Sequence, residues 1–181
     1  MPGMPMDGLN SGDTSDLDKF GLDESGFDGL AGGGDNPETL VLNLKVMTLA
    51  TSSDQGPWSV PLYYVYRNRG FYFFSSPDSR HVRDALQPHA LCGASLFADA
   101  PGVDRLRGIQ MQGVVESVSM TPESLAAAGA YVTKYGIQVS GGNVLAFIRG
   151  RFRAQFYRFV ARESYYMNNS AGFRSRKSVI L

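Results

Sequence analysis

A succession of short β-prone runs, each closed by a turn cluster, constrains this chain more than any other feature. VMTLATS (46–52) reads as a strand and leads into the turn cluster SSDQGP. WSVPLYYVYR (58–67) reads as a second strand. Its Pro61 has no N–H to give, so it marks an edge, a bulge or an opening in the ladder. Asn68, Arg69 and Gly70 make a tight turn into FYFFS (71–75). ALCGASLF (90–97) and GIQMQGVVESV (108–118) follow as further strands. In the latter Ile109, Met111 and Val115 alternate with Gln110, Gln112 and Glu116, and Gly113 suggests a bulge. FIRGRFRAQFYRFVAR (147–162) reads as a long β segment, and the chain closes with a glycine turn and a short strand.

Helices are few. Asn36 as N-cap with Pro37 behind it starts a short one. Ser76, Pro77 and Asp78 repeat that signal and predict a helix running to just before Pro88. Thr121, Pro122 and Glu123 open a third, ending near Lys134. Six or seven short antiparallel strands with two or three helices predict a mainly β fold, a closed or partly closed barrel.

Charge divides the chain. Residues 1–38 hold nine acids and one base, a net charge of −8; residues 39–181 hold sixteen bases and eight acids, a net charge of +8. Residues 1–36 are rich in Gly, Asp and Ser without a sustained period. They are expected to form a disordered acidic tail, ahead of one domain over 37–181. Within that tail DLDKFGLDESGFDGL spaces apolar residues among acids, which suits a solubilising tail, an interaction motif or a cover for the basic body. No apolar run approaches the roughly 18 to 20 residues of a membrane helix, and no basic-then-apolar leader opens the sequence. Cytoplasmic location is the default expectation. A single cysteine, Cys92, excludes an internal disulfide framework and reads as a buried small hydrophobe. With only two histidines, no metal site is expected.

The chemistry gathers at the exit of the aromatic run. In FYFFSSPDSRH, Ser75, Ser76, Ser79, Arg80 and His81 bring hydroxyls and cations to the predicted helix start. Free backbone N–H groups and a helix dipole there would favour an anion. Arg80 has a planar fork that matches two phosphate oxygens, and His81 adds a pH-dependent donor. An ordinary capped helix with exposed Arg and His is the plain alternative.

The order S-V-P-L-Y-Y, turn, strand, S-S-P-D-S-R-H, helix, strand, R-G-I-Q-M-Q-G-V-V-E resembles the pyridoxamine 5'-phosphate oxidase-like family of FMN-binding split barrels, over residues 40–181. It is most similar to a small branch whose chains end in a motif like N-N-S-A-G-F-R-S-R-K. The resemblance implies a homodimer with FMN in its interface and a small-molecule redox substrate. It sets the flavin ring against the backbone of Ser59, Val60, Pro61 and Leu62, and Ser75 beside it. Ser79, Arg80 and His81 correspond to a Ser-Arg-Lys phosphate grip, with His in place of Lys. A family Lys falls near Tyr64 and a flavin-contacting Gln near Gly108, so both are lost here. The oxidase's Arg-Leu-His-Asp run is absent, and oxidation of pyridoxamine phosphate is not expected. Asn168, Asn169, Phe173 and Arg174 match the branch motif and would close over the ring or the neighbouring subunit; a tight turn ending a strand is the other reading.

Three functions are therefore open: an FMN-dependent oxidoreductase, a haem-binding or non-catalytic split barrel using His81 or His89, and an interaction module joining the basic body to an acidic segment. Tyr63, Tyr64, Tyr66, Phe71, Tyr72, Phe73 and Phe74 read as core or dimer interface before they read as a stacking surface. Arg149, Arg151 and Arg153 alternate on one predicted strand face. A solvated face or a landing place for the tail fits them better than nucleic acid, which is not an expected partner.

Overall fold

The computed structural model describes residues 36–139, 144, 150, 153–172 and 175–181. The acidic tail, Arg149, Arg151, Phe173 and Arg174 lie outside them.

The described chain runs α1 (Pro37–Asn43), β1 (Val46–Ser53), β2 (Gly56–Tyr63), β3 (Val65–Arg67), β4 (Gly70–Ser75), α2 (Arg80–Ala85), β5 (Cys92–Ala98), β6 (Arg107–Ser117), α3 (Pro122–Tyr135), β7 (Gln155–Asn168) and β8 (Arg176–Ser178). Short 3-10 turns at Val103–Arg105 and Asn169–Ala171 complete it. All eight strands join one antiparallel sheet in the order β2-β1-β5-β6-β7-β4-β3, with β8 added to β7. The two ends of that order, β2 and β3, are consecutive stretches of one segment bent at Tyr64. Its first half pairs with β1 and its second half with β4, so the chain itself joins the sheet's ends and curls it into a split barrel.

Local sequence accounts for most of these elements. The Asn36 side chain accepts from the Glu38 N–H at 3.0 Å with Pro37 in the first turn. Thr121 and Ser124 exchange side-chain and backbone bonds in a capping box, and Gly136 ends α3 in the left-handed region. Asn68 and Arg69 both have positive φ, the backbone of a two-residue hairpin turn that matches strand twist. The register of β6 against β7 slips between Gln112 and Gly113, the bulge that Gly113 predicts. Pro61 sits on β2, which pairs with β1 alone.

The aromatic run β4 is buried on both faces. Phe71 and Phe73 point into the main core with Met47, Leu49, Leu96, Ile109, Tyr157 and Phe159. Tyr72 joins a second cluster beneath α3 with Ala127, Ala128, Tyr131 and Phe156, and Phe74 packs against it. Cys92 is buried in the main core, and burial, aided by Asp84, pushes its thiol up to about 11, so it serves as a small hydrophobe.

Two expectations are corrected. The helix predicted to begin at Ser76 begins at Arg80, because Ser76, Pro77 and Asp78 form a turn in which the Ser79 N–H donates to the Ser76 carbonyl at 3.1 Å. The β segment expected from residue 147 starts at Gln155 and runs on to Asn168. Arg153 has φ 49°, a left-handed backbone, and precedes β7, so it is not on a strand; Arg149 and Arg151 lie outside the described residues.

Candidate functional site

β4 ends at Ser75, which pairs with Gln155 at the start of β7. The turn that follows brings Arg80 to the turn end of the hairpin formed by β1 and β2, and α2 packs on both of these strands. Three side chains meet there. His81 Nε2 lies 2.7 Å from Ser75 Oγ and 3.3 Å from Ser79 Oγ, and the two hydroxyl oxygens are 3.3 Å apart. Ser79 donates its own proton to the Ser76 carbonyl at 2.7 Å. His81 is only 7% exposed, and burial holds its imidazole below the usual histidine range against the opposing pull of Asp84. At neutral pH the ring is therefore uncharged, and it is not an exposed cation.

Arg80 is committed as well. Its Nη2 donates to the carbonyls of Gln55 at 3.0 Å and Gly56 at 2.9 Å, its Nε faces Asp84 Oδ2 at 3.4 Å, and its guanidinium stacks 4.8 Å above the Trp58 ring. Sequence reasoning placed Arg80 at the corner but missed both of these partners. The i,i+4 spacing of Arg80 and Asp84 could have shown the ion pair. Trp58, the single tryptophan, carried no local signal beyond its place at the start of a strand. Thr51, paired across the hairpin with Trp58, has a buried hydroxyl without a hydrogen-bond partner.

The helix that begins here has six residues, and Ser79 makes no side-chain cap bond. So short a helix has little dipole to offer. What the corner presents is a set of side chains: two hydroxyls, one guanidinium and one imidazole.

Beside this corner runs β2. Ser59 and Pro61 are exposed, Val60 is half-buried and Leu62 is buried in the main core. The second edge of β2 has no ladder partner among the described residues. Its outward face continues across β1, β5 and β6 in rows of small or uncharged side chains, and the Ser59 row ends on β7 at the exposed Glu163. Pro61 aligns with Thr48, Ser95, Gln110 and Tyr165, and Ser59 with Ala50, Gly93 and Gln112.

Asn168 and Asn169 lie elsewhere. Asn168 is buried and accepts from the Ser170 N–H at 3.0 Å, while Asn169 donates from Nδ2 to the Val103 carbonyl at 2.6 Å. They stand at the far end of the fourteen-residue strand β7 from Gln155. At about 3.3 Å per residue the strand between them has a contour of about 40 Å. One chain does not bring Asn169 to the Ser75 corner.

The family model of pyridoxamine 5'-phosphate oxidase matches residues 35–168, most of the chain and all of the corner. The chain belongs to this family. No curated protein matches it. Solved structures share its fold. A conserved hypothetical protein from Mycobacterium tuberculosis is 21% identical, with TM-score 0.60 over 77% of this chain and 87% of that one. A heme binding protein from Mycobacterium smegmatis is 18% identical, with TM-score 0.57 over 78% of this chain and 55% of that one. An FAD-binding protein from Mesorhizobium loti is 18% identical, with TM-score 0.53 over 70% and 88%. At these identities the likeness is one of fold.

Proposed function

We propose that this family member is an FMN-binding oxidoreductase that holds the phosphate of the flavin at the Ser75, Ser79 and Arg80 corner. The observation that carries the reading is the meeting of the Ser75 and Ser79 hydroxyls at the exit of β4, with Arg80, next in the chain, held on the carbonyls of the adjacent β1–β2 turn, in a chain of this family. That donor set fits a phosphate monoester: hydroxyls and a planar fork match its oxygens, and among the described residues the carboxylate ion-paired with Arg80 is Asp84. Ser76 flanks the corner through its carbonyl and turn hydroxyl.

Bound there, a flavin supplies hydride or single-electron exchange through its ring. The chain's part is to hold and orient. Ser75 and Ser79 fix the phosphate, and Arg80 would trade a turn carbonyl for a phosphate oxygen. The backbone of Ser59, Val60, Pro61 and Leu62 offers the unpaired edge of β2 to the polar rim of the ring. The uncharged face beyond it excludes water when a second copy covers it. In that homodimer Asn169 would serve the partner's site, since its own corner is out of reach. The redox substrate is a small molecule that shares the covered face.

Purified protein should carry a yellow chromophore released on denaturation, or bind added FMN with quenching of flavin fluorescence. Ser79→Ala with Arg80→Ala should weaken FMN by about 100-fold, from two lost charge-assisted or polar contacts of about 1.4 kcal/mol each, while riboflavin binding changes little. Unchanged FMN affinity in that double variant refutes the assignment of the corner.

A second reading is a haem-binding split barrel, favoured by the fold it shares with the heme binding protein from Mycobacterium smegmatis. His81 is engaged with two serines, so the exposed His89, at φ 61° in the loop before β5, is the histidine placed to reach a haem iron. A Soret band on haem addition that disappears in His89→Ala supports this reading; its persistence in that variant opposes it.

A further inference from the structure

Ser75 has one proton to donate, and the geometry of the corner makes His81 decide where it goes. In the neutral ring with its proton on Nδ1, the tautomer from which binding can draw a proton, the short 2.7 Å contact requires Ser75 to donate inward to Nε2, leaving only its lone pairs toward a ligand. When Nε2 is protonated it donates to Ser75 Oγ, and the Ser75 hydroxyl is released to donate outward. In the free protein the Ser79 hydroxyl donates to the Ser76 carbonyl at 2.7 Å, so Ser75 holds the hydroxyl proton that His81 directs.

We propose that binding of a phosphate monoester at this corner takes up one proton from solvent onto His81, which acts through Ser75 as the positioning residue for the anion. This inference rests on the flavin phosphate reading and adds its regulation. An uncharged ring costs nothing to bury in the free protein, while an arriving dianion a few ångströms away makes the charged form favourable. Burial keeps free His81 neutral at pH 7, so a proton is there to be gained.

Few other charges compete. Asp84 and Arg80 stand on α2 with His81 and pair with one another, and Asp84 also lies toward Cys92 of β5; Arg83 of α2 and Asp54 of the β1–β2 turn are both exposed. β1 and β2, on which α2 packs, have no ionised side chain, and β4 offers Ser75 alone. Asp78, in the preceding turn, is exposed and faces toward Tyr157.

The sign follows. The free protein has the lower histidine pKa and the complex the higher one, so affinity is greatest below both and falls as pH rises through the bound value.

The test uses FMN, with riboflavin as the phosphate-free comparator, titrated at about pH 6, 7 and 8. Compared at each pH with that of His81→Gln, a comparison that cancels the phosphate's own ionisation at about pH 6, FMN affinity should fall about tenfold from about pH 6 to about pH 8, one charge-assisted bond in place of a neutral one, while riboflavin affinity stays flat. Calorimetry in two buffers of different ionisation enthalpy at pH 7 should show proton uptake with FMN. Ser75→Ala should lose that excess slope, and both variants should lose the uptake; Ser75→Ala leaves the buried ring in place should His81→Gln fail to fold. Tight FMN binding with no excess slope and no proton uptake overturns the linkage and leaves the flavin reading standing. Absence of FMN binding at every pH sinks both.

Discussion

At Tyr64 the outer ladder stops, and the hydroxyl of Tyr135 takes over its hydrogen bonds. That oxygen accepts from the Tyr64 N–H at 3.0 Å and lies 2.5 Å from the Tyr64 carbonyl and 2.7 Å from that of Lys45. The Tyr64 hydroxyl in turn donates to the Val41 carbonyl at 2.6 Å, and Lys134 donates to the carbonyls of Leu42 and Leu44 at the end of α1. Burial, with Lys45 nearby, pushes the Lys134 amine down to about 8, so it is still largely charged at neutral pH. Two neighbouring residues of α3 thus fasten the bend that closes the barrel. Tyr135→Phe should cost about 1–2 kcal/mol, because it removes the one hydroxyl proton shared by the Tyr64 and Lys45 carbonyls and an acceptor of the Tyr64 N–H, which keeps its bond to the Lys45 carbonyl. Urea unfolding with an unchanged slope and a lower midpoint would register it; a variant as stable as the parent would show that water satisfies the bend equally well. Nothing local in the sequence signals this bond, since Tyr64 and Tyr135 meet only after α3 folds back over the sheet.

At the scale of elements, the same substitution has opposite signs in β6 and α3. A Cβ built on Gly113 would sit 2.0 Å from the Val160 carbonyl oxygen and 2.9 Å from the Phe159 ring. The bulge brings the β7 backbone that close, and backbone cannot step aside. Gly113→Ala should therefore destabilise by about 3 kcal/mol. On α3 a Cβ at Gly129 meets nothing within 4 Å. Gly129→Ala should stabilise by about 0.5–1 kcal/mol through helix propensity. Paired thermal melts read both; equal shifts in one direction would mean that the bulge does not exist in solution. The bulge was legible from Gly113 in an alternating strand, and the ends of α3 from Thr121 and Pro122. The start of α2 was not. Ser, Pro and Asp are favoured both at a helix N-cap and in a tight turn. Only the burial of His81 against Ser75 chooses between them, and that contact couples a strand to the element after it.

For the whole molecule, the length of β7 decides how a site can be assembled. Ser75 and Asn169 belong to opposite ends of it, so a site using both draws them from two chains. Subunits with Ser79→Ala and Arg80→Ala, mixed after unfolding with Asn169→Ala subunits, should regain FMN binding. Half the chains would then form mixed dimers, each with one intact corner and one doubly defective one, so recovery should approach about a quarter of parental sites. Flavin absorbance after removal of free FMN measures it. No recovery on mixing would place Asn169 outside the site or the site within one chain.

Read by itself, the sequence determined the local pieces: where strands alternate, that Pro61 interrupts a ladder, which residues cap α1 and α3, and that hydroxyls and cations gather after the aromatic run. These follow from periodicity and backbone chemistry within a few residues. Tertiary structure alone decided what those groups do at rest. It set Arg80 on the carbonyls of Gln55 and Gly56, buried His81 behind two serines, and carried Asn169 to the far end of β7. Each of those outcomes depends on which strands become neighbours. Strand order is fixed by burying one core, and no short stretch of residues contains that information.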